Sequence, residues 1–292
     1  MFKGGTSLSK GYNLISRFSE DIDITVFRDD IHVATSAEEL DRHSAIGNAE
    51  IGSMKLGTPV RGYIQGDLRS ALGATAKQVM EGAGQDPNRL TVVLDETDPD
   101  AQSLLIRYPT VAEAHAYIAP FVKIEVGPKS ALDPHESRAV SPYVADDLKG
   151  GDALTVSAVT TTKPEWTFLD KILILHGLPI YFEKNGRLYS RGQVSRHYYD
   201  AHKVVRSTIA GAACADTALI DNCVRHARTF FYRKDTGLDD LARGRFRLRP
   251  PDAMLDTLHR DYDAMATMIF GEVPDFKAVL ESVSGAEAML NA

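Results

Sequence analysis

The spacing of apolar positions changes once along this 292-residue chain, near residue 160. Before that point, short apolar or alternating runs predict strands at 21–27, 90–95, 103–107 and 121–126. Beyond it, apolar positions recur with helical spacing at 165–177, 195–210, 214–232 and 252–270. The pattern therefore predicts an α/β half with a sheet, residues 1–160, followed by a helical half, residues 161–292.

Three further segments complete this prediction. Residues 6–16 have helical spacing, so a glycine-rich turn and a helix are expected before the first strand. Residues 37–55 show a mixed pattern that fits a helix ending near Gly57. Residues 127–151 contain several glycines and prolines and are expected to form a loop and a crossover.

Two aspartates in the first predicted strand indicate a metal site. Because successive side chains of a strand point to opposite faces, Asp21 and Asp23 share one face. Ile22 and Ile24 share the other face, which anchors a core. Mg²⁺ takes one or two protein carboxylates and completes its shell with water and substrate phosphates. The pattern therefore favours a metal-dependent nucleotidyl-transfer site over an ordinary surface strand.

Gly4, Gly5, Thr6 and Ser7 supply the other half of such a site. Glycines let the backbone approach a phosphate closely, the two hydroxyls can donate to it, and the start of a helix offers unpaired N–H groups to an anion. A P-loop is a poor match, because that motif requires Ser or Thr directly after its lysine. The residue after Lys10 is a glycine.

Glu125, in the last strand predicted before the loop, is a candidate third acid. It shares one face of that strand with Lys123. If this strand lies beside the one that carries Asp21 and Asp23, Glu125 completes a carboxylate triad that orients metals or takes the proton of an attacking hydroxyl. The alternative is that Lys123 and Glu125 are solvent-facing residues of a half-buried strand. The sequence leaves both interpretations open.

Lys171 lies in a predicted helix that is apolar around most of its circumference, so its ammonium group needs a partner. Triphosphate oxygens or a structural carboxylate would serve equally well. Asp200, on a later helix, has three interpretations: it pairs with Lys171, it holds the base or ribose of a nucleotide, or it is an ordinary helix-surface acid. Arg196 and His197 precede it, and either phosphate contact or burial explains them.

Composition limits the class of protein. The chain is 43% apolar and has two cysteines, Cys214 and Cys223, which we interpret as buried thiols in a reducing compartment. It contains neither an apolar run long enough to span a bilayer nor the basic-then-apolar pattern of a secretory signal. A cytoplasmic location without membrane association is therefore expected.

The net charge of −7 argues against a protein that coats nucleic acid nonspecifically. However, residues 151–250 are net basic between acidic flanks, which suits the docking of a polyanion such as tRNA. Simple solvation of a charge-rich helical surface explains them equally well. The alternation of arginine with glycine or apolar residues over 243–249 predicts an extended segment that presents its arginines on one side.

Three motifs, in this order, resemble those of the AbiEii/AbiGii abortive-infection nucleotidyltransferase toxins. They cover residues 2–10 with 17–23, then 164–171 with Leu175 and His176, and finally 189–191 with 195–200. The resemblance implies a polymerase-β-like nucleotidyltransferase fold with a C-terminal helical domain. It also implies an NTP substrate, a Mg²⁺ requirement and a toxin restrained by a cognate antitoxin made alongside it.

Residue chemistry and the resemblance together define an expected site. The expected catalytic residues are Asp21, Asp23, Glu125, Lys171 and Asp200, and the first two are the expected metal ligands. The expected nucleotide-binding residues are Gly4, Gly5, Thr6, Ser7, Lys10 and Ser19.

The expected function is that of an NTP- and Mg²⁺-dependent nucleotidyltransferase toxin in phage defence. By family analogy its acceptor is the 3′ end of an RNA, most simply tRNA, and the consequence is blocked translation. One alternative is an enzyme that nucleotidylates a protein hydroxyl. Another is a nucleotide-binding regulatory module without catalysis, although the intact motif acids favour an enzyme.

Overall fold

The computed structural model describes residues 1–19, 21–27, 30, 58–109, 120–189 and 193–292. The helix expected around residues 37–55 lies outside these ranges. Within them, the protein combines a four-stranded sheet, a two-stranded sheet and a C-terminal group of helices. The mixed α/β class predicted from the sequence is therefore confirmed.

The larger sheet contains the four strands that the sequence predicts. They are β1 (Asp21–Thr25), β2 (Thr91–Leu94), β3 (Ser103–Arg107) and β4 (Phe121–Gly127). Their order in the sheet is β1-β4-β3-β2, with β1 parallel to β4 and the other pairs antiparallel. The parallel pairing matters for function, because it places the predicted third acid beside the two aspartates.

One face of this sheet is closed by a helix. The chain is helical from residue 58, passes through a π-helical turn at Ile64–Leu68 and continues as α1 (Arg69–Gly82). Val60 and Ile64 pack with the buried Ile124 and Val126 of β4. Ile22 and Ile24 of β1 pack against the same cluster, so the predicted anchoring face of β1 is confirmed. The acidic face of the sheet is left for the site.

The predicted loop at 127–151 contains a strand, so that prediction was wrong in part. β5 (His135–Val140) pairs antiparallel with β6 (Val156–Thr162). Its residues are largely polar and exposed, so no apolar alternation marks it as a strand. The backbone of Phe2 joins the two sheets, because it bonds to Thr160 and Thr162 in β6 and bridges to Ile24 in β1.

The C-terminal part is a helical bundle. Its helices are α2 (Pro164–Asn185), α3 (Ser195–Val205), α4 (Thr208–Ala215), α5 (Thr217–Phe230), α6 (Asp252–Ala266) and α7 (Phe276–Asn291). α2 is buried on most of its circumference and packs against α3, α4 and α5. None of the helices in the described ranges is both long and apolar enough to cross a membrane.

Several predicted helix boundaries differ from the structure. The helix expected at 6–16 is limited to the turns Gly4–Thr6 and Ser7–Gly11, after which Asn13 takes a positive φ of 52°. The helix expected at 165–177 runs on through Pro179 and ends at Gly186, whose left-handed conformation provides a C-terminal cap. The helix expected at 195–210 is interrupted where the Ser207 hydroxyl caps α4.

Candidate active site

Asp21 and Asp23 lie on the open face of β1, and Glu125 is the register partner of Asp23 on β4. The condition set by the sequence for a third acid is therefore met. Lys123 Nζ lies 2.9 Å from Glu125 Oε1 and 3.3 Å from Asp95 Oδ2. Because 43% of the Glu125 side chain is exposed, it is both a neighbour of Asp23 and a partly solvated ion-pair partner of Lys123.

Gly4 brings the N-terminal turn into direct contact with Asp23. Its φ of +68° favours glycine, and a Cβ atom added there would lie 2.6 Å from Asp23 Oδ2. The backbone N–H of Lys3 donates to the Asp23 carbonyl oxygen at 3.2 Å. A Cβ atom on Gly5 would lie 2.6 Å from Arg17 Nη2. The turn therefore lies against two charged side chains, and the positive φ of Gly4 favours glycine at that position.

The hydroxyls of Thr6 and Ser7 are used within the turn. Thr6 Oγ1 donates to the carbonyl oxygen of Asp21 at 2.8 Å and lies 2.8 Å from Ser19 Oγ. Ser7 Oγ donates to the carbonyl oxygen of Gly4 at 2.8 Å. These bonds fix the turn against β1, so both hydroxyls support the turn.

Lys171 and Asp200 meet in a buried ion cluster with Arg17. Asp200 is fully buried, and its Oδ2 lies 2.7 Å from Lys171 Nζ. Arg17 donates to both carboxylate oxygens, with Nε at 2.7 Å and Nη2 at 2.8 Å. Of the interpretations left open by the sequence, the pairing of Asp200 with Lys171 is the one observed.

The electrostatics of this cluster favour the ionised carboxylate. Burial alone would raise the pKa of Asp200, but Arg17 and Lys171 outweigh it and hold the pKa well below the usual range. One carboxylate faces two cations, so the cluster carries an excess positive charge. Lys171 also lines a cavity between the sheet and the helices, where that charge is available to an anion.

A cavity of about 420 Å³ lies between the acidic face of the sheet and the helices. Helix α2 provides one wall, from Trp166 to Gly177. Its charged and glycine-rich lining consists of Lys3, Gly4, Gly5, Arg17, Ser19, Asp21, Asp23, Glu125, Asp170, Lys171, Arg196 and Arg233. The structure therefore brings seven predicted site residues together in one cavity: Gly4, Gly5, Ser19, Asp21, Asp23, Glu125 and Lys171.

Lys10 is outside this group. Its ammonium group lies 2.6 Å from the centroid of the Tyr143 ring, and burial lowers its pKa to about 8, with Asp146 acting in the opposite direction. It lines a second cavity of about 510 Å³, together with Thr6 and several aromatic and aliphatic side chains. Ser19 and Asp21 line both cavities, so the two meet at the end of β1.

Sequence reasoning did not select several residues that line the main cavity. Arg17 and Lys3 belong to the first motif. Their basic side chains, close in sequence to the Asp-x-Asp strand, were the signal that could have indicated a position at the site. Asp170 directly precedes Lys171, and burial raises its pKa to about 7 while Lys3 and Lys171 act in the opposite direction. No sequence signal separates Asp170 from an ordinary helix acid.

Arg196 and His197 both line the main cavity. Arg196 Nε is buried and has no hydrogen-bond acceptor among the residues that the structure describes. Burial, followed by the charges of Lys171 and Arg196, lowers the pKa of His197 well below its usual value, so this ring is neutral near pH 7. Arg196 therefore offers a donor to an anionic ligand, whereas His197 adds no charge.

The donor set at β1 fits a hard divalent cation. Burial raises the pKa of Asp23; Lys3 opposes this effect and Glu125 adds to it, so the charge of the carboxylate is poorly compensated. No group of three Asp, Glu, His or Cys residues in the described ranges is arranged to hold a metal ion. Mg²⁺ commonly takes only one or two protein carboxylates and completes its shell with water and substrate phosphates, so two aspartates suffice as protein donors for such an ion.

A match to a protein family agrees with this chemistry. A family model described as "Nucleotidyl transferase AbiEii toxin, Type IV TA system" matches residues 1–282. The comparison with curated proteins found no match. Among solved structures, the chain is similar to MenT4, a nucleotidyltransferase toxin from Mycobacterium tuberculosis H37Rv, with 16% identity and a TM-score of 0.35 over 100% of this chain and 85% of that one. The structural likeness is too distant to carry an argument.

Proposed function

Because this chain belongs to the AbiEii family of nucleotidyltransferase toxins of type IV toxin–antitoxin systems, we propose that it transfers a nucleotide from an NTP to the 3′ end of an RNA, with tRNA as the acceptor. Membership of the family makes the protein a nucleotidyltransferase and a toxin. The proposal that this chain acts on an NTP at this site rests on the cavity, which brings Asp23, Gly4 and Lys171 together.

The triphosphate of the NTP binds along the N-terminal turn and Lys171. The Gly4-Gly5 turn lines the cavity and lies against the Asp23 carboxylate and the Arg17 guanidinium, so a phosphate bound at this turn has both groups beside it. Lys171 supplies a positive charge, and Asp200 fixes its ammonium group from the buried side. Lys3 and Arg196 line the same cavity and add donors. Asp200 therefore acts as a positioning residue, and Lys171 contacts the substrate.

Asp21 and Asp23 would hold Mg²⁺ beside these phosphates. Bound there, the ion would neutralise phosphate charge and increase the electrophilicity of the α-phosphorus. The chain itself contributes the rigid placement of both carboxylates, since Thr6 bonds to the Asp21 backbone and Lys3 bonds to that of Asp23. Preorganised charge of this kind is the main contribution of an active site to such a transfer.

In the transfer step, the acceptor hydroxyl oxygen forms a bond to the α-phosphorus. The bond between that phosphorus and the α,β-bridging oxygen breaks, and pyrophosphate leaves. The hydroxyl proton passes to Glu125, which lies beside Asp23 in the sheet and is exposed enough to return the proton to water.

The second cavity offers a path for the acceptor. It meets the main cavity at Ser19 and Asp21, so a strand bound in it ends next to the metal ligands. Its aromatic residues, which include Phe18 and Tyr108, suit stacked bases, and Lys10 suits a phosphate. These features support an unpaired RNA 3′ end as the acceptor.

The arginines of residues 243–249 give further support to a polyanionic acceptor. They are exposed while Phe246 and Leu248 are buried. Arg247 and Arg249 pair with Glu183 and Glu287. In the cell, we propose a cytoplasmic toxin of phage defence that blocks translation unless a cognate antitoxin counteracts it.

The direct test of this function uses NTPs labelled at the α-phosphate. Purified protein is incubated with each NTP, Mg²⁺ and either total RNA or a protein extract. Label on RNA of tRNA size supports the proposal. Label on polypeptide supports protein nucleotidylation, and NTP binding without any transfer supports a regulatory module.

A further inference from the structure

We propose that the part of the main cavity lined by Tyr189, Arg233 and Phe231 is the nucleobase subsite, and that Arg233 stacked over Tyr189 is the platform that contacts the base. This inference rests on the proposed function, because it names the part of the NTP that this region recognises.

The lining of the cavity changes character along α2. Lys171 faces the acids and glycines, whereas Ile174 and Gly177 lie further along the helix, by about 4.5 and 9 Å at the usual rise per residue. Around this second region the lining is apolar and aromatic and includes Leu238 and Phe231. An NTP is divided in the same way, with a charged triphosphate at one end and a flat, largely apolar base at the other.

Arg233 and Tyr189 form a ready stacking surface. The Arg233 guanidinium lies over the Tyr189 ring, 4.8 Å from its centroid. The ring itself is fixed, because its hydroxyl donates to the carbonyl oxygen of Ile174 at 3.3 Å and its edge contacts Tyr181 at 5.4 Å. Guanidinium planes and aromatic rings are the groups on which proteins stack unpaired bases.

The loop that carries Arg233 is held in place without a ligand. Arg228 donates to the carbonyl oxygens of Leu238, Asp239 and Leu241 at 2.7 to 2.9 Å. Thr236 packs closely on α2, because a Cβ atom added to Gly177 would lie 3.1 Å from the Cβ atom of Thr236. A subsite fixed in this way binds its ligand with little loss of conformational entropy.

Phe231 offers a further apolar surface in this part of the cavity. It lines the cavity and is 50% exposed. Its ring contacts His226, which in turn contacts Trp166 at 5.5 Å. A base bound next to Phe231 would cover this exposed ring.

Trp166 makes the test direct, because it is the only tryptophan of the chain and it lines the cavity. The experiment titrates the full-length protein with each of the four NTPs and with tripolyphosphate, which lacks sugar and base. Binding is followed by Trp166 fluorescence and by calorimetry. The variants are Arg233→Ala and Tyr189→Ala, with Arg260→Ala as the matched control, since Arg260 is exposed and outside the cavity lining.

We expect Arg233→Ala to lower the affinity for the NTP that binds best by about tenfold, a typical effect for one lost stacking contact. The same variant should leave tripolyphosphate affinity unchanged, and Arg260→Ala should change neither. Arg233 is exposed, so its replacement preserves the fold even if Tyr189→Ala does not.

Two results would overturn the inference alone. One is NTP binding that is unaffected by Arg233→Ala. The other is an equal loss of NTP and tripolyphosphate affinity, which would make Arg233 a phosphate ligand. Failure of every NTP to bind the wild-type protein would instead overturn the proposed function, and this inference with it.

Discussion

At the scale of single residues, Asp200 sets the charge balance of the buried cluster. It is fully buried, so it reaches the cavity only through Lys171 and Arg17. Two cations around one carboxylate leave a positive charge that faces the phosphate space. A bound triphosphate would complete the neutralisation of this cluster, which links substrate binding to the stability of the site.

The cluster predicts opposite behaviour for its two partners. Lys171→Met leaves the bidentate Arg17–Asp200 pair intact, so the unfolding free energy should change by no more than about 1 kcal/mol. Nucleotidyl transfer should still fall by about a hundredfold or more, because the triphosphate loses its buried cation. Asp200→Asn leaves two buried cations uncompensated and should cost about 3 kcal/mol of unfolding free energy.

Thermal unfolding and transfer assays on the same preparations distinguish these outcomes. If Lys171→Met unfolds the protein while Asp200→Asn is tolerated, the roles assigned within the cluster are wrong.

Gly4 gives a second prediction at this scale. Gly4→Ala places a Cβ atom against Asp23 Oδ2 at a positive φ, so we expect a stability loss of about 1–3 kcal/mol and a loss of transfer of tenfold or more. The matched control is Gly211→Ala in α4, where nothing lies within 4 Å and alanine favours the helix. Full transfer activity in Gly4→Ala would show that the close approach of the turn to Asp23 is unimportant.

Asp170 predicts a pH dependence of stability. Burial raises its pKa to about 7, so between the unfolded value near 4 and pH 7 the folded state binds the proton more tightly. Its contribution to stability is therefore complete below about pH 4 and is lost as the pH rises to about 7. Urea unfolding of the NTP-free protein should show this decline, and Asp170→Asn should make it shallower. An unchanged pH profile in Asp170→Asn would mean that this carboxylate titrates normally.

At the scale of elements, the site is the meeting point of a strand pair, a turn and a helix. β1 and β4 place Asp23 beside Glu125, the turn at residues 4–11 closes on them, and α2 presents Lys171 from the other side. β4 is central, because it is hydrogen-bonded on both sides and its apolar face packs against the helix that begins at residue 58.

Ile124 tests this role of β4. Ile124→Ala removes a side chain that is 4% exposed and should reduce the unfolding free energy by about 2–5 kcal/mol. Val156→Ala, at a position that is 58% exposed in β6, should change it by less than about 0.5 kcal/mol. Equal effects of the two substitutions in denaturant titrations would show that β4 is not a stabilising centre.

What the sequence revealed about these elements depends on how each is buried. β1 to β4 carry apolar residues on a buried face, so their pattern is visible, and the pairing of Asp21 and Asp23 follows from strand geometry alone. β5 is polar and exposed, and its pairing with β6 is a tertiary contact that leaves no periodic signal. α7 and the helix at 58–82 were not predicted, although both are amphipathic.

Prediction of the site residues from the sequence has the same limit. Acids and glycines close together in the chain were identifiable, and Lys171 was marked by its apolar surroundings. Arg17 is 183 positions from Asp200, and only the fold brings their side chains together. The supporting role of Thr6 and Ser7 and the position of Lys10 also depend on three-dimensional contacts that sequence spacing does not encode.

At the scale of the whole molecule, the catalytic sheet and the helical bundle share one N-terminal segment. Phe2 bonds to both sheets, whereas Leu8 and Ile15 are buried in the core of the helical part. We propose that the division near residue 160 separates two halves that act as one enzyme, since Asp23 comes from the first and Lys171 from the second.

The most direct test of this account is nucleotidyl transfer by Asp23→Asn. Burial raises the pKa of Asp23, so its charge opposes folding, and the asparagine variant should be at least as stable as the wild type near neutral pH. Transfer from an α-labelled NTP to RNA in the presence of Mg²⁺ should nevertheless fall by about a thousandfold. A folded Asp23→Asn protein that still transfers nucleotide at the wild-type rate would contradict the central claim.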